Sequence, residues 1–204
     1  MIYEMRTYTL RPRTIPEFLA RFAEALPHRE KYSKPTAYWY SEVGPLNQVI
    51  HVWEYEDGVA RARIREAASR DPNWPPKTAE FILAQESKIL LAPPFRAEPR
   101  KGELGGIYEI RTYTYQPGTI PRVIERWSGC IASREKLSPL AACWYTEVGP
   151  LNQWIHVWPY ADLNERARIR QEAMKLPDWP PKTREWVVNQ ESRVVIPAPF
   201  SPMR

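Results

Sequence analysis

Alternation of hydrophobic and polar positions marks three short segments in the first half of the chain. These segments are rich in aromatic and β-branched residues, a composition typical of strands. The pattern predicts strands over residues 2 to 10, 37 to 43 and 48 to 55. In the third, alternate positions from Val49 to Tyr55 share one face, and Ile50 and Val52 share the other. The Gly-Pro-Leu-Asn stretch between the last two predicts a hairpin.

A helical period governs residues 15 to 31. The apolar stripe consists of Ile15, Phe18, Leu19, Phe22 and Leu26. Thr14 and Glu17 fit a capping box at the start of this helix. We expect a second helix from an Asp57 cap to about residue 70, a short helical piece after Trp74-Pro75-Pro76, and a last strand over about 85 to 91. The predicted order is β-α-β-β-α-β.

The second half of the chain repeats the first without a gap. Residue 3 corresponds to residue 108, and about half of the aligned positions are identical. The motif Glu-Val-Gly-Pro-Leu-Asn-Gln, for example, occurs at 42 to 48 and again at 147 to 153. The repeat is as long as a whole small domain, so we expect domains at 1–95 and 107–204 joined by a Pro-, Gly- and charge-rich linker at 96–106.

The order of elements is that of an α+β, ferredoxin-like domain with one antiparallel sheet and helices on one face only. The face of each sheet that carries no helix must be buried against another surface. Two tandem domains can cover each other, so we predict a pseudo-dimeric α/β barrel within one chain. Further pairing of whole chains is left open.

Composition and charge narrow the class of protein. The 204 residues include 29 Lys and Arg against 24 Asp and Glu, a net charge of +5 that favours acidic small molecules or anionic surfaces and falls short of a nucleic-acid footprint. The start carries Glu4 and Arg6 within its apolar stretch, so we expect no signal peptide, no membrane span and a cytoplasmic location. Cys130 and Cys143 predict reduced, packed thiols.

Two motifs resemble a known family. Tyr-Glu-Met-Arg-Thr-Tyr-Thr at 3 to 9 and the run from Gly44 to Tyr55 are similar to the NIPSNAP domain, and both recur in the second half. The resemblance covers 1 to 95 and 107 to 200 and implies the dimeric α/β barrel fold. The family's biochemical activity is poorly defined. Barrel relatives outside it include cofactor-independent monooxygenases, small-ring isomerases and haem enzymes, so the resemblance says more about the fold than about activity.

The first candidate site is an acid, a base and a phenol on one face of the first strand. Its members are Glu4, Arg6 and Tyr8, repeated as Glu109, Arg111 and Tyr113. Placed in the barrel interior, the arginine and tyrosine would orient an anionic or carbonyl-bearing ligand. The alternative is an ion pair that fixes strand register and needs no ligand.

The second candidate site is a strand histidine among aromatic residues. His51 shares a face with Trp53 and Tyr55. The second half repeats this set as His156, Trp158 and Tyr160. A neutral imidazole there could act as a general base, and the alternative is a structural histidine bonded to a neighbour.

The third candidate is an arginine ladder on the second helix of each half. It comprises Arg61, Arg63 and Arg65, with Arg166, Arg168 and Arg170. Such a ladder could present a basic patch to a protein or membrane partner, and the alternative is a solvated face. No metal spacing, P-loop, dinucleotide fingerprint or nucleophile elbow is present, so we expect no metal and no cofactor.

Three functions follow as hypotheses. The first is the binding of a small, partly apolar or anionic molecule in the barrel interior. The second is a cofactor-independent oxygenase or isomerase with His51 or His156 as base. The third is a scaffold that presents the helix arginines to a partner.

Overall fold

Each half of the chain folds in the order β-α-β-β-α-β that the sequence predicts. The computed structural model describes residues 1–204. The strands are β1 Ile2–Leu10, β2 Pro35–Val43, β3 Gln48–Tyr55, β4 Ile82–Leu91, β5 Ile107–Tyr115, β6 Ala142–Val148, β7 Gln153–Tyr160 and β8 Val187–Pro197. The helices are α1 Ile15–Glu30, α2 Gly58–Ser69, α3 Ile120–Ser128, α4 Ile131–Glu135 and α5 Leu163–Ala173. Short 3-10 turns occupy Ala79–Phe81, Pro94–Arg96 and Arg184–Trp186.

The two predicted helix starts have different outcomes. Asp57 caps α2 as predicted, since its carboxylate accepts from the Ala60 amide at 2.8 Å. The capping box at α1 is wrong. Thr14 has a helical backbone instead of the extended one typical of a capping residue, and its side chain accepts no hydrogen bond from the first turn; its hydroxyl donates to the Arg11 carbonyl at 2.7 Å.

The counterpart of α1 in the second half is broken in two. α3 ends at Ser128, and α4 begins at Ile131 after Gly129 and Cys130. The first half has Glu24 where the second has Gly129, and glycine costs about 1 kcal/mol relative to a good helix former within a helix. The break therefore follows from a local difference between the two halves.

Edge pairing between the halves closes the sheet into a barrel. Within the first half the strand order is β4-β1-β3-β2, the ferredoxin-like arrangement. β2 then pairs with β8 and β4 with β6, both antiparallel, which joins the two four-stranded sheets into one closed, eight-stranded barrel. The pseudo-dimeric α/β barrel is confirmed, and its closure leaves no strand with an unpaired edge.

Large side chains from both halves fill the barrel interior. Tyr3 contacts Trp144 with ring centroids 5.7 Å apart, and Trp39 contacts Tyr108 at 5.8 Å. These four residues are almost completely buried, and Met5 belongs to the same cluster. The interior is thus a packed core shared by the two halves, and the helices cover the outer face of the sheet in two further clusters.

Two phenylalanines lie across the boundary between the halves. Phe95, beyond β4, packs against Trp154 of the second half, with centroids 6.2 Å apart. Phe200, beyond β8, stacks on Phe22 of the first half at 5.9 Å and meets Tyr38 edge to face at 5.0 Å. Each half therefore completes the helix-layer core of the other.

Candidate functional site

Each half holds one pocket between the outer face of its sheet and its helices. The cavity is about 380 Å³ in the first half and about 820 Å³ in the second. The predicted residues that line the first are Arg6, Tyr8, His51, Trp53 and Tyr55. Their repeats line the second: Arg111, Tyr113, His156, Trp158 and Tyr160. The structure thus brings together ten of the twelve predicted site residues, five in each pocket.

The prediction that these residues face the barrel interior is wrong. Along β1, Tyr3 and Met5 point into the barrel and fill it. Successive side chains alternate across a strand, so Glu4, Arg6 and Tyr8 point outward beneath the helices. The alternation along β1 separates the two faces of the strand correctly. The error lies in placing the face with Glu4, Arg6 and Tyr8, and not the face with Tyr3 and Met5, in the barrel interior.

Glu4 lies behind the wall of the first pocket, in contact with Arg6 and Arg65 that line it, and binds several donors. Its Oε1 accepts from Arg6 Nη1 at 2.8 Å, Arg61 Nη2 at 2.6 Å and Ser87 Oγ at 2.9 Å. Its Oε2 lies 3.5 Å from Arg65 Nη1. Burial alone would raise the pKa of Glu4, but the hydrogen bond from Arg61 and the charge of Arg65 outweigh burial and hold this pKa at about 2. The carboxylate is therefore permanently ionised near neutral pH.

Glu109 repeats this arrangement in the second half. Its Oε1 accepts from Arg111 at 2.8 Å, Arg166 at 2.6 Å and Ser192 at 2.7 Å, and Arg170 Nη1 lies 3.5 Å from its Oε2. Burial opposes ionisation here too, and the hydrogen bond from Arg166 leads the groups that lower its pKa to about 2.

These contacts change the interpretation of the arginine ladder. The first and third arginines of each ladder reach inward to Glu4 or Glu109 and remain partly exposed, whereas the middle ones, Arg63 and Arg168, are exposed without such a contact. Most of the charge of each ladder is therefore directed at a buried carboxylate, which gives the scaffold hypothesis less support than the sequence suggests.

The central arginine of each pocket is one that sequence reasoning missed. Arg29 is 3% exposed, and its guanidinium lies 4.5 Å from the centre of the Trp53 ring. It donates to Ser33 Oγ at 2.8 Å and to Tyr55 Oη at 3.0 Å, both neutral groups. The ion pairs of the neighbouring Glu4 are made with other arginines. Burial lowers the pKa of Arg29. A signal was present: residue 29 continues the apolar stripe of α1 at a helical spacing from Phe22.

Arg134 is the same residue in the second half. It is 3% exposed, lies 4.2 Å from the centre of the Trp158 ring, and donates to Ser138 Oγ at 3.0 Å and Tyr160 Oη at 3.4 Å. Burial lowers its pKa as well. A buried cation whose hydrogen-bond partners are all neutral is a costly feature, and this chain contains it twice.

The histidines are fixed in one tautomer by the neighbouring indole. Trp53 Nε1 donates to His51 Nδ1 at 2.6 Å, and Trp158 Nε1 donates to His156 Nδ1 at 2.7 Å. An indole nitrogen can only donate, so Nδ1 carries the lone pair and the neutral ring holds its proton on Nε2. Burial lowers the pKa of His51 to about 3 and that of His156 well below its usual range. Both Nε2 atoms are buried without a hydrogen-bond partner.

Arginines dominate the charge around each pocket, and no acidic residue lines either one. Arg6, Arg29 and Arg65 line the first. The second is lined by Arg111, Arg134, Arg166, Arg170 and Arg184. Aromatic rings supply a large part of the remaining wall, with Trp74 and Trp179 contributed by the Trp-Pro-Pro turns. The arrangement suits an anionic ligand with a flat apolar body.

Other kinds of site have less support. No group of three or more His, Cys, Asp and Glu side chains is arranged to hold a metal ion. Cys130 and Cys143 are buried free thiols, and burial raises the pKa of both. None of the helices combines the length and apolar character needed to cross a bilayer.

Comparison with known proteins agrees with the duplicated architecture. The NIPSNAP family model matches residues 3–96 and again 108–202. The NipSnap homolog of Dictyostelium discoideum is 32% identical, with the match covering 96% of this chain and 87% of that protein. Human NipSnap homolog 3A is 28% identical, over 100% of this chain and 86% of its own length.

Solved structures outside the family share the whole fold. A provisionally assigned monooxygenase from Fusobacterium nucleatum superposes with a TM-score of 0.70 at 10% identity, covering 100% of this chain and 97% of its own. An anthrone oxidase-like protein gives 0.63 at 8% identity, with coverage of 100% and 94%. At such identities the likeness concerns the fold alone. The family model matches the chain twice in succession, and NipSnap proteins match it over nearly its whole length. This chain therefore belongs to the NIPSNAP family.

Proposed function

We propose that each half binds one small anionic molecule with an aromatic or otherwise flat apolar body, in the pocket beneath its helices. The observation that carries the proposal is the pair of buried guanidinium groups, Arg29 and Arg134, whose hydrogen bonds go only to neutral groups: a serine hydroxyl and carbonyl and a tyrosine hydroxyl in each half. The NIPSNAP family to which the chain belongs has no defined biochemical activity, so the proposal rests on this geometry.

The charge balance around each pocket supports an anionic ligand. The single carboxylate of Glu4 forms ion pairs with Arg6, Arg61 and Arg65. Arg29 adds a further positive charge that has no ion pair of its own. A buried charge without a counter-ion costs several kcal/mol, and a carboxylate or similar anion would offset this cost through two parallel hydrogen bonds. The guanidinium fork suits such a planar group better than a point charge would.

The histidine supports the same proposal from a second direction. His51 lines the pocket, and its Nε2 is buried without a partner and holds a proton, so this atom is a hydrogen-bond donor that needs an acceptor. The tautomer favours a donor role over the general-base role considered from the sequence. Glu4 is no better as a base, because it is engaged by three donors and its pKa is about 2. The geometry thus supports binding more directly than proton abstraction.

Isothermal titration calorimetry with a matched pair of probes tests the proposal. The probes are 2-naphthoate and its uncharged analogue 2-naphthalenemethanol, which share one aromatic body and differ in charge. We expect two naphthoate molecules per chain and at least about tenfold weaker binding of the alcohol, since a charge-assisted hydrogen bond to a buried arginine is lost.

Two single variants assign the sites. Arg29→Gln and Arg134→Gln should each remove one of the two binding events, whereas Arg63→Gln and Arg168→Gln, on the exposed faces of α2 and α5, should remove none. Equal affinity for the acid and the alcohol in the wild-type protein would contradict the proposal, and that comparison does not depend on how well any variant folds.

A further inference from the structure

The two pockets share their polar floor and differ in size. The Arg, His, Trp and Tyr residues at the base are identical in the two halves, yet the second cavity, at about 820 Å³, has more than twice the volume of the first, at about 380 Å³. Both volumes fall within the range of small-molecule sites. A common head group with different bodies would fit this pattern, so the differences must lie in the walls and the mouth.

Two exchanges make the second pocket more positive than the first. Ala79 lines the first pocket, and the corresponding residue Arg184 lines the second, where it is exposed. Gln171 also lines the second pocket, and its counterpart Glu66 is an acid that pairs with Arg70 on α2. One exchange adds a positive charge at the mouth, and the other places a neutral amide where the first half has a carboxylate.

Apolar exchanges change the shape of the wall. Met174 replaces Ser69 at a position that lines both pockets. Phe18 lines the first pocket, and the smaller Val123 stands at the same place in the second half. The first exchange adds a long apolar side chain to the wall, and the second replaces a ring with a smaller side chain, in keeping with the larger volume of the second cavity.

We propose that the second pocket takes an elongated dianion, of the aromatic dicarboxylate class, that the first pocket does not favour. One acid group binds Arg134 at the buried end, the flat body lies along the aromatic wall, and the second acid group meets Arg184 at the mouth. The first pocket has Ala79 at that mouth position and accepts a monoanion. This proposal rests on the anion-binding function proposed above and adds the ligand class and the residues that select it.

Variants with a single working pocket provide the test. Arg29→Gln leaves the second pocket and Arg134→Gln leaves the first. Each is titrated by calorimetry with 2-naphthoate and with naphthalene-2,6-dicarboxylate, and the quantity compared is the ratio of the two affinities. We expect the dianion to be favoured at least fivefold more in Arg29→Gln than in Arg134→Gln, a factor typical of one added ion pair near the surface.

Exchange of the mouth residues completes the design. Arg184→Ala in the Arg29→Gln background should lower the ratio of dicarboxylate to naphthoate affinity to that of the first pocket, and Ala79→Arg in the Arg134→Gln background should raise it. Equal affinity ratios in the two single-pocket variants, with naphthoate bound by both, would overturn this proposal alone. Failure of the wild-type chain to bind either probe would overturn the anion-binding function as well.

Discussion

Replacing Glu4 with glutamine should weaken the fold and strengthen anion binding at the same time. The carboxylate is fully buried and accepts hydrogen bonds from Arg6, Arg61 and Ser87. Glutamine keeps the size of the side chain but removes the only negative charge among several guanidinium groups. The remaining cations then repel one another, and an anion in the pocket becomes a partial substitute for the lost charge.

The magnitude follows from the geometry by two routes. Removing one partner of a buried ion pair costs about 3 to 5 kcal/mol. The arginine side chains at Glu4 are 15%, 28% and 40% exposed, so solvent screens them and the lower end of that range applies. Independently, a carboxyl group whose pKa falls from 4.5 to about 2 on folding stabilises the protein by ~3 kcal/mol. For a chain of this size ~3 kcal/mol lowers the melting temperature by about 10 °C.

The assay combines thermal unfolding with calorimetric titration of 2-naphthoate. Glu4→Gln should melt about 10 °C below the wild-type protein and bind naphthoate about threefold more tightly in the first pocket. The control is Glu17→Gln, whose carboxylate is 57% exposed and pairs with Arg21 on the surface, so its effect should stay below 0.5 kcal/mol or about 2 °C. An unchanged melting temperature in Glu4→Gln, or weaker naphthoate binding, would show that the Glu4 carboxylate does not neutralise the surrounding guanidinium groups.

Three further predictions concern acid stability, the histidine tautomer and the exchanged phenylalanines. The pKa values of Glu4 and Glu109 are both about 2 in the folded protein, below the unfolded value of 4.5. The two carboxylates therefore stabilise the fold fully above pH 4.5, and this stabilisation is lost as the pH falls towards 2. In an acid titration followed by circular dichroism, the stability of the double glutamine variant should fall less steeply with pH than that of the wild-type protein. In nitrogen-15 NMR spectra, His51 should stay neutral at pH 5 with its proton on Nε2, and Trp53→Phe should produce a mixture of tautomers; a protonated ring at pH 5 would contradict the assignment. Phe200→Ala should cost about 2 kcal/mol and lower the melting temperature by about 6 °C, because a half-buried stacked ring is lost, and a melting temperature within 1 °C of wild type would show that the exchange does not stabilise the protein.

The order of elements could be predicted because it depends on local periodicity. A few neighbouring residues are enough to show the alternation of a strand, the apolar stripe of α1 or the Asp57 cap. The duplication presents each of these patterns twice. The capping box at Thr14 is wrong because the backbone of Thr14 is helical, whereas a capping residue is usually extended so that its side-chain oxygen can accept from the first turn. The exchange of Phe95 and Phe200 between the halves is a long-range contact, and no local pattern announces it.

The candidate site was predicted in its residues but not in its location. Alternation shows which side chains of β1 share a face, but not whether that face lies inside the barrel or beneath the helices. The deciding hint was composition: the face with Tyr3 and Met5 suits a packed interior better than the face with Glu4 and Arg6. Arg29 escaped notice because an arginine near a helix end is usually exposed, although its place in the apolar stripe indicated burial.

A crystal structure of the protein soaked with 6-bromo-2-naphthoate, in which anomalous scattering locates the bromine, tests the anion-binding function of the two pockets most directly. We predict one molecule beneath the helices of each half, with its carboxylate on Arg29 in the first pocket and on Arg134 in the second. Bromine peaks confined to other surfaces, with both guanidinium groups still bonded only to Ser33, Tyr55 and their repeats, would contradict it.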